Sequence, residues 1–168
     1  DSDIFGRRLI WYAITRIIKP DIVIESGVFE GLGSALLTMG LFQNFKENPK
    51  IRPKFIGIDI KLKNYYLNPQ FDKIDIELNE IDSIDFLNKF NEKKKILYIS
   101  DAKHDPEFEK KEYNLISKNL IKNSIIISDN GSEALSEFSI LNNKKILCFT
   151  EQVSEHWYSG AKCTISYD

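Results

Sequence analysis

The chain has 168 residues, of which 42% are hydrophobic and 29% charged, and a net charge of −2. That is enough apolar material for one sizeable core and predicts a single domain over residues 1–168. The balanced charge gives no footprint for a polyanion, so no nucleic-acid partner is expected. No apolar stretch approaches the roughly 18 residues of a spanning helix, so no membrane partner is expected either.

Helical and strand signals alternate along the chain. Ile4, Phe5, Leu9, Ile10, Ala13, Ile14, Ile17 and Ile18 recur at helical spacing and predict a covering helix that Pro20 ends. Trp11 and Tyr12 on it are expected in the core, with Tyr12 facing a ligand as the alternative. An apolar first strand closing at Glu25 follows, then a glycine turn and a helix over 31–45, then the polar loop NFKENPKIRP. A second strand is expected over 55–60, a weaker third over 74–78, a short helix over 84–90 and a fourth strand over 95–100. Lys93, Lys94 and Lys95 read as a solvated approach to that strand. Phe108, Tyr113, Leu115, Ile116 and Leu120 give one face of a helix over 106–121, with Asp105 as its cap and Pro106 at its first position. A buried fifth strand spans 124–128, a short helix 133–139, and two last strands 145–150 and 162–167. Cys148 and Cys163 form no CxxC pattern, and with no signal-peptide pattern this predicts a reduced, cytoplasmic setting. The first residue is Asp1, not methionine, as in a piece of a longer chain.

This alternation predicts an α/β fold: a Rossmann-like, doubly wound, mostly parallel sheet of seven strands with helices on both faces. Two final strands with no helix between them predict a closing hairpin. In such sheets ligands gather at the carboxyl ends of the strands. The acids that end strands, Glu25, Asp59, Asp101 and Asp129, with Asp82 after the third, are therefore the residues of interest.

The segment IVIESGVFEGLGSA, Ile22 to Ala35, runs a strand into a glycine turn and a helix, a cradle for a nucleotide-like ligand. Its order, ExGxxxGxG from Glu25 to Gly33, differs from the GxGxxG of dinucleotide sites. It resembles motif I of the class I S-adenosylmethionine (SAM)-dependent methyltransferases. A nicotinamide-dependent oxidoreductase and a non-catalytic domain of the same fold stay open as alternatives. The resemblance implies an antiparallel last strand and SAM as cofactor. Glu25 and the backbone at Gly27 would hold its methionine end, with Gly31, Gly33 and Ser34 completing the cradle. Asp59, after the second strand, can accept both ribose hydroxyls; a solvated loop acid is the alternative. In NEIDS, residues 79–83, Asp82 resembles the acid that takes the adenine amino group, although Ile81 stands where the family often has glycine. Capping the next helix is the other reading of Asp82 or Ser83.

The motifs ISDAKHDP, from Ile99, and ISDNG, from Ile127, form a second constellation. If the fourth and fifth strands are neighbours, Asp101, Asp129 and Asn130 lie side by side next to the cofactor, with Asp101 touching both. Three oxygen donors suit Mg²⁺ better than zinc. His104 is placed to act as base, with Lys103 competing. A common Asx turn and a surface histidine are the structural alternatives. Together the motifs resemble the metal-dependent O-methyltransferases: the catechol type, with Asp-Asn after the fifth strand, and the macrocin or mycinamicin sugar type, with DxxH. Asn130 departs from the sugar type, which has a second acid there. The resemblance implies Asp101, Asp129 and Asn130 as metal ligands, His104 as base, and a small hydroxylated acceptor. Tyr65 and Tyr66 are expected beside the adenine, and His156, Trp157 and Tyr158 in an acceptor pocket or at a hairpin tip. A neighbouring subunit of a homo-oligomer, or a further segment of chain, would complete a pocket for which the chain has little material.

Overall fold

The computed structural model describes residues 6–63, 72–150 and 162–168. The expectations for Ile4, Phe5, Tyr65, Tyr66, His156, Trp157 and Tyr158 fall outside these residues. The elements are α1 (Leu9–Ile18), β1 (Ile22–Ser26), α2 (Leu32–Glu47), β2 (Lys54–Asp59), β3 (Asp75–Glu80), α3 (Ser83–Lys89), β4 (Ile96–Ser100), α4 (Pro106–Ser117), β5 (Ile125–Ser128), α5 (Glu133–Leu141), β6 (Lys145–Thr150) and β7 (Lys162–Tyr167). Seven strands form one sheet in the order β3-β2-β1-β4-β5-β7-β6. The first five are parallel, and β7 runs antiparallel to both β5 and β6.

Alternation along each strand divides the apolar residues between two cores. Ile22, Ile24, Ile56, Ile58, Ile96, Tyr98 and Ile126 face α3, α4 and α5, where Leu87, Tyr113, Ile116, Leu135 and Phe138 meet them. Val23, Phe55, Leu97, Ile99 and Ile127 face the other way, against Trp11, Leu37 and Leu41 of α1 and α2. Because both faces are covered, β1 and β4 are buried at every position, which is why they read as unbroken apolar runs.

Two helices differ from expectation. On α1 the buried residues are Trp11, which packs with the sheet, and Thr15, which lies against Gly40 of α2, whereas Leu9 and Ile17 are 51% and 77% exposed. Ile10, Ile14 and Ile18 flank the buried ridge, so the sequence pattern merged two neighbouring stripes into one. Helix α4 ends at Ser117, four residues early: the Asn119 N–H bonds the Ile116 carbonyl and the Leu120 N–H the Ser117 carbonyl, which tightens the chain into a turn. Its start is as expected, with the Asp105 carboxylate accepting from the Phe108 N–H and Pro106 in the first turn. Among the described residues no helix is long and apolar enough to cross a membrane.

Candidate functional site

The strand order reverses between β1 and β4, and a cavity of about 520 Å³ opens there at the carboxyl edge. Register explains its floor. Ser26 pairs with Ser100 and Ser100 with Ser128, so three serines form one row across β1, β4 and β5. One residue on, the Asp101 N–H bonds the Ser26 carbonyl at 2.8 Å and the Asp129 N–H the Ser100 carbonyl at 3.1 Å, which sets the two acids side by side. Of the candidate site residues singled out from sequence, Gly27, Asp59, Asp82, Ser83, Asp101, Lys103 and His104 line the cavity.

The glycine turn is built by close approach. Gly27 has φ +89°, and a Cβ there would lie 2.5 Å from both the Asp101 carbonyl carbon and the Ala102 Cα. Gly33 lies under the Trp11 ring and the Glu25 carboxyl, both of which a side chain would overlap. Gly31, Gly33 and Ser34 stand behind the cavity wall, and so does Glu25, 1% exposed. Glu25 does not line the cavity. Its carboxyl accepts from the Ser34 hydroxyl instead, fastening the end of β1 to the first turn of α2. Burial pushes it up from 4.5 to about 8; the Ser34 bond opposes this, and Asp101 adds to it.

Asp59 and Asp82, which line the cavity, keep acceptor capacity. Asp59 accepts from the Phe29 N–H at 2.8 Å through Oδ2 and from the Lys61 N–H at 3.0 Å through Oδ1. A carboxylate has about four lone-pair sites, so two remain. Asp82 caps α3, accepting from the Ile84 N–H at 2.8 Å through Oδ1. Capping thus occurs, and it leaves Oδ2 for other donors.

Across the reversal point, Asp101 and Asp129 face each other. Burial raises the Asp101 carboxyl well above its ordinary value, and the Asp129 charge and hydrogen bond raise it further. The Arg8 guanidinium, at the start of α1, reaches into this pair: Nη2 lies 3.2 Å from Asp101 Oδ2 and 4.0 Å from Asp129 Oδ2. Among the described residues no three His, Cys, Asp or Glu side chains gather as a metal site. The third expected donor, Asn130, belongs to none of those types; its amide nitrogen is bonded to His104, contacting Nδ1 and lying 3.3 Å from Nε2. His104 and Asn130, 26 residues apart, are thereby joined at the rim. Lys103 lies over the Phe108 ring at 5.7 Å.

Sequence reasoning missed the support beneath this site. Glu112 of α4, fully buried, accepts from Ser26 at 2.6 Å, Ser83 at 2.6 Å and Ser100 at 2.7 Å, tying β1, α3 and β4 together under the cavity. Burial raises its carboxyl, and the three hydroxyls hold it down. Glu109, 2% exposed, does the same one turn earlier with Ser132 and with the Tyr113 hydroxyl at 2.7 Å. A signal existed: Glu109 and Glu112 are spaced in phase with Tyr113 and Ile116, so carboxylates occupied the buried face of the helix. For Arg8 there was none.

No protein-family model matches the sequence, and comparison with curated proteins gives no match. Solved structures do match. The O-methyltransferase from Bacillus cereus in complex with S-adenosylhomocysteine (SAH) has 14% identity over 96% of this chain and 80% of its own, with TM-score 0.65. The O-methyltransferase TomG from Streptomyces achromogenes, involved in tomaymycin synthesis and in complex with SAM, has 13% identity over 96% and 78%, with TM-score 0.59. Precorrin-6y C5,15-methyltransferase from Geobacter metallireducens has 10% identity over 96% and 87%, with TM-score 0.66. The sheet order, the antiparallel β7 and these likenesses together show that the chain has the Rossmann-like fold of the class I SAM-dependent methyltransferases.

Proposed function

We propose that the chain is a SAM-dependent methyltransferase acting on a hydroxyl oxygen of a small acceptor such as a sugar or another natural product. The observation that carries this is the convergence of Gly27, Asp59, Asp82, Asp101 and His104 on one cavity at the strand-order reversal. Its volume suits a nucleoside-sized ligand with room for an acceptor. Two structures of the same fold were solved with SAH or SAM. In this reading Asp59 accepts the ribose hydroxyls, Asp82 Oδ2 the adenine amino group, and the backbone at Ser26 and Gly27 faces the methionine end. Glu25, Gly31, Gly33 and Ser34 position that backbone from behind.

When bound, SAM supplies an electrophilic methyl group on its sulfonium. The chain's task is to align the acceptor oxygen with that methyl and to remove its proton. His104 takes the proton at a ring nitrogen, and its contact with Asn130 orients the ring. The donor chemistry at Asp101 and Asp129 fits a hard divalent cation: two carboxylates, buried and held together, call for positive charge. Mg²⁺ held by Asp101, Asp129 and Asn130 would lower the pKa of an acceptor hydroxyl beside it. Because one protein of this fold is a precorrin C5,15-methyltransferase, the fold leaves the accepting atom open. The carboxylate pair beside His104 is what favours oxygen.

Calorimetry of the full chain with SAH and with NAD⁺ tests the cofactor. SAH should bind, and Asp59→Ala should weaken it about ten-fold or more by removing charge-assisted bonds. NAD⁺ binding with no SAH binding would overturn the proposal. Methyl transfer that survives complete chelation removes Mg²⁺ from it and leaves the rest standing.

A further inference from the structure

Arg8 brings to the acidic pair a cation that no sequence motif announced. The guanidinium is fixed from two sides. Its carbon lies 5.4 Å from the centroid of the Trp11 ring, and Trp11 is completely buried, a rigid platform. From the other side, Nη2 spans Asp101 Oδ2 at 3.2 Å and Asp129 Oδ2 at 4.0 Å. Asp129 is 1% exposed and Asp101 13%, so the charge that faces them matters more than it would in water. Arg8 itself is 29% exposed and lies on the cavity wall, which leaves it a route out to solvent.

We propose that Arg8 is a tethered counter-cation that competes with a divalent metal for the Asp101–Asp129 pair, so that metal binding requires the guanidinium to withdraw. The proposal rests on the metal reading above. Mg²⁺ would have to approach the carboxylate oxygens to about 2.1 Å, and these are the oxygens that Nη2 faces. Two cations at one pair of largely buried oxygens repel each other, with less screening than in bulk water. Without metal, Arg8 sets a positive charge against the two buried carboxylates. Metal affinity is then set by a residue that is not a ligand.

The test is binding of Mn²⁺ to the full chain, followed by the loss of the free-ion paramagnetic resonance signal, for wild type, Arg8→Gln and Arg8→Lys. Arg8→Gln should bind Mn²⁺ about ten-fold or more tightly than wild type, because the competitor's charge is gone. Arg8→Lys, which keeps the charge, should stay near wild type. Asp129→Asn added to Arg8→Gln should abolish the gain. Equal affinity in wild type and Arg8→Gln, with Asp129→Asn weakening both, overturns the competition and leaves the metal site standing. Absence of Mn²⁺ binding in wild type and Arg8→Gln alike overturns both. A second readout needs no change at Arg8: in Trp157→Phe, which leaves Trp11 as the only indole, Mg²⁺ should alter Trp11 emission as the guanidinium leaves the ring. Mg²⁺ binding with unchanged emission overturns the proposal.

Discussion

Glu25→Gln isolates the energetic consequence of placing an acid behind the glycine turn. In the unfolded chain the Glu25 carboxyl loses its proton near its ordinary 4.5, whereas burial in the native state holds the proton up to about 8. Between those values the native state carries more protons than the unfolded state, so raising the pH favours unfolding. The contribution is complete below about 4.5, declines through the window and is gone above about 8. Each pH unit in the steep part is worth up to about 1.4 kcal/mol, so stability should fall by about 2 kcal/mol between pH 6 and pH 8 on account of this one group. Asp101, also raised by burial, slopes in the same direction. The glutamine has the same shape, keeps an oxygen for the Ser34 hydroxyl and cannot ionise. Urea unfolding at pH 6, 7 and 8 should therefore show the wild type losing about 2 kcal/mol more than Glu25→Gln over that range, with equal m-values. Parallel pH profiles for the two proteins would refute the assignment of a buried, neutral Glu25.

Three further outcomes follow from the same geometry. Gly27→Ala should destabilise by about 2–4 kcal/mol and abolish SAH binding, since its Cβ meets the Asp101–Ala102 backbone at a positive φ; calorimetry and thermal unfolding read the two effects separately. Glu112→Ala strands the Ser26, Ser83 and Ser100 hydroxyls in a buried space. It should cost about 3 kcal/mol or more in denaturant unfolding, and Glu112→Gln distinctly less. His104→Ala should lower SAH release with any acceptor the wild type turns over by about 10²- to 10⁴-fold, while the affinity for SAH itself stays within about two-fold; a loss of SAH affinity to match would place His104 in cofactor binding instead.

Much of this arrangement was legible along the chain because its determinants are local. Unbroken apolar runs marked β1, β4 and β5, since both faces of a central parallel strand are covered, and Asp105-Pro106 marked the start of α4 because a cap is a contact between near neighbours. The glycine order from Gly27 to Gly33 and the acids at the strand ends needed nothing further. What packing decided is which of those acids face the cavity. Glu25 ends a strand like Asp59 and Asp101, yet Trp11 and the absent side chain of Gly33 let it turn inward, where Ser34 holds it. Register brought Asp101 beside Asp129. Arg8 reaches Asp101 across 93 residues of sequence, a distance that no period or spacing encodes, because it is fixed only when α1 packs against the sheet through Trp11.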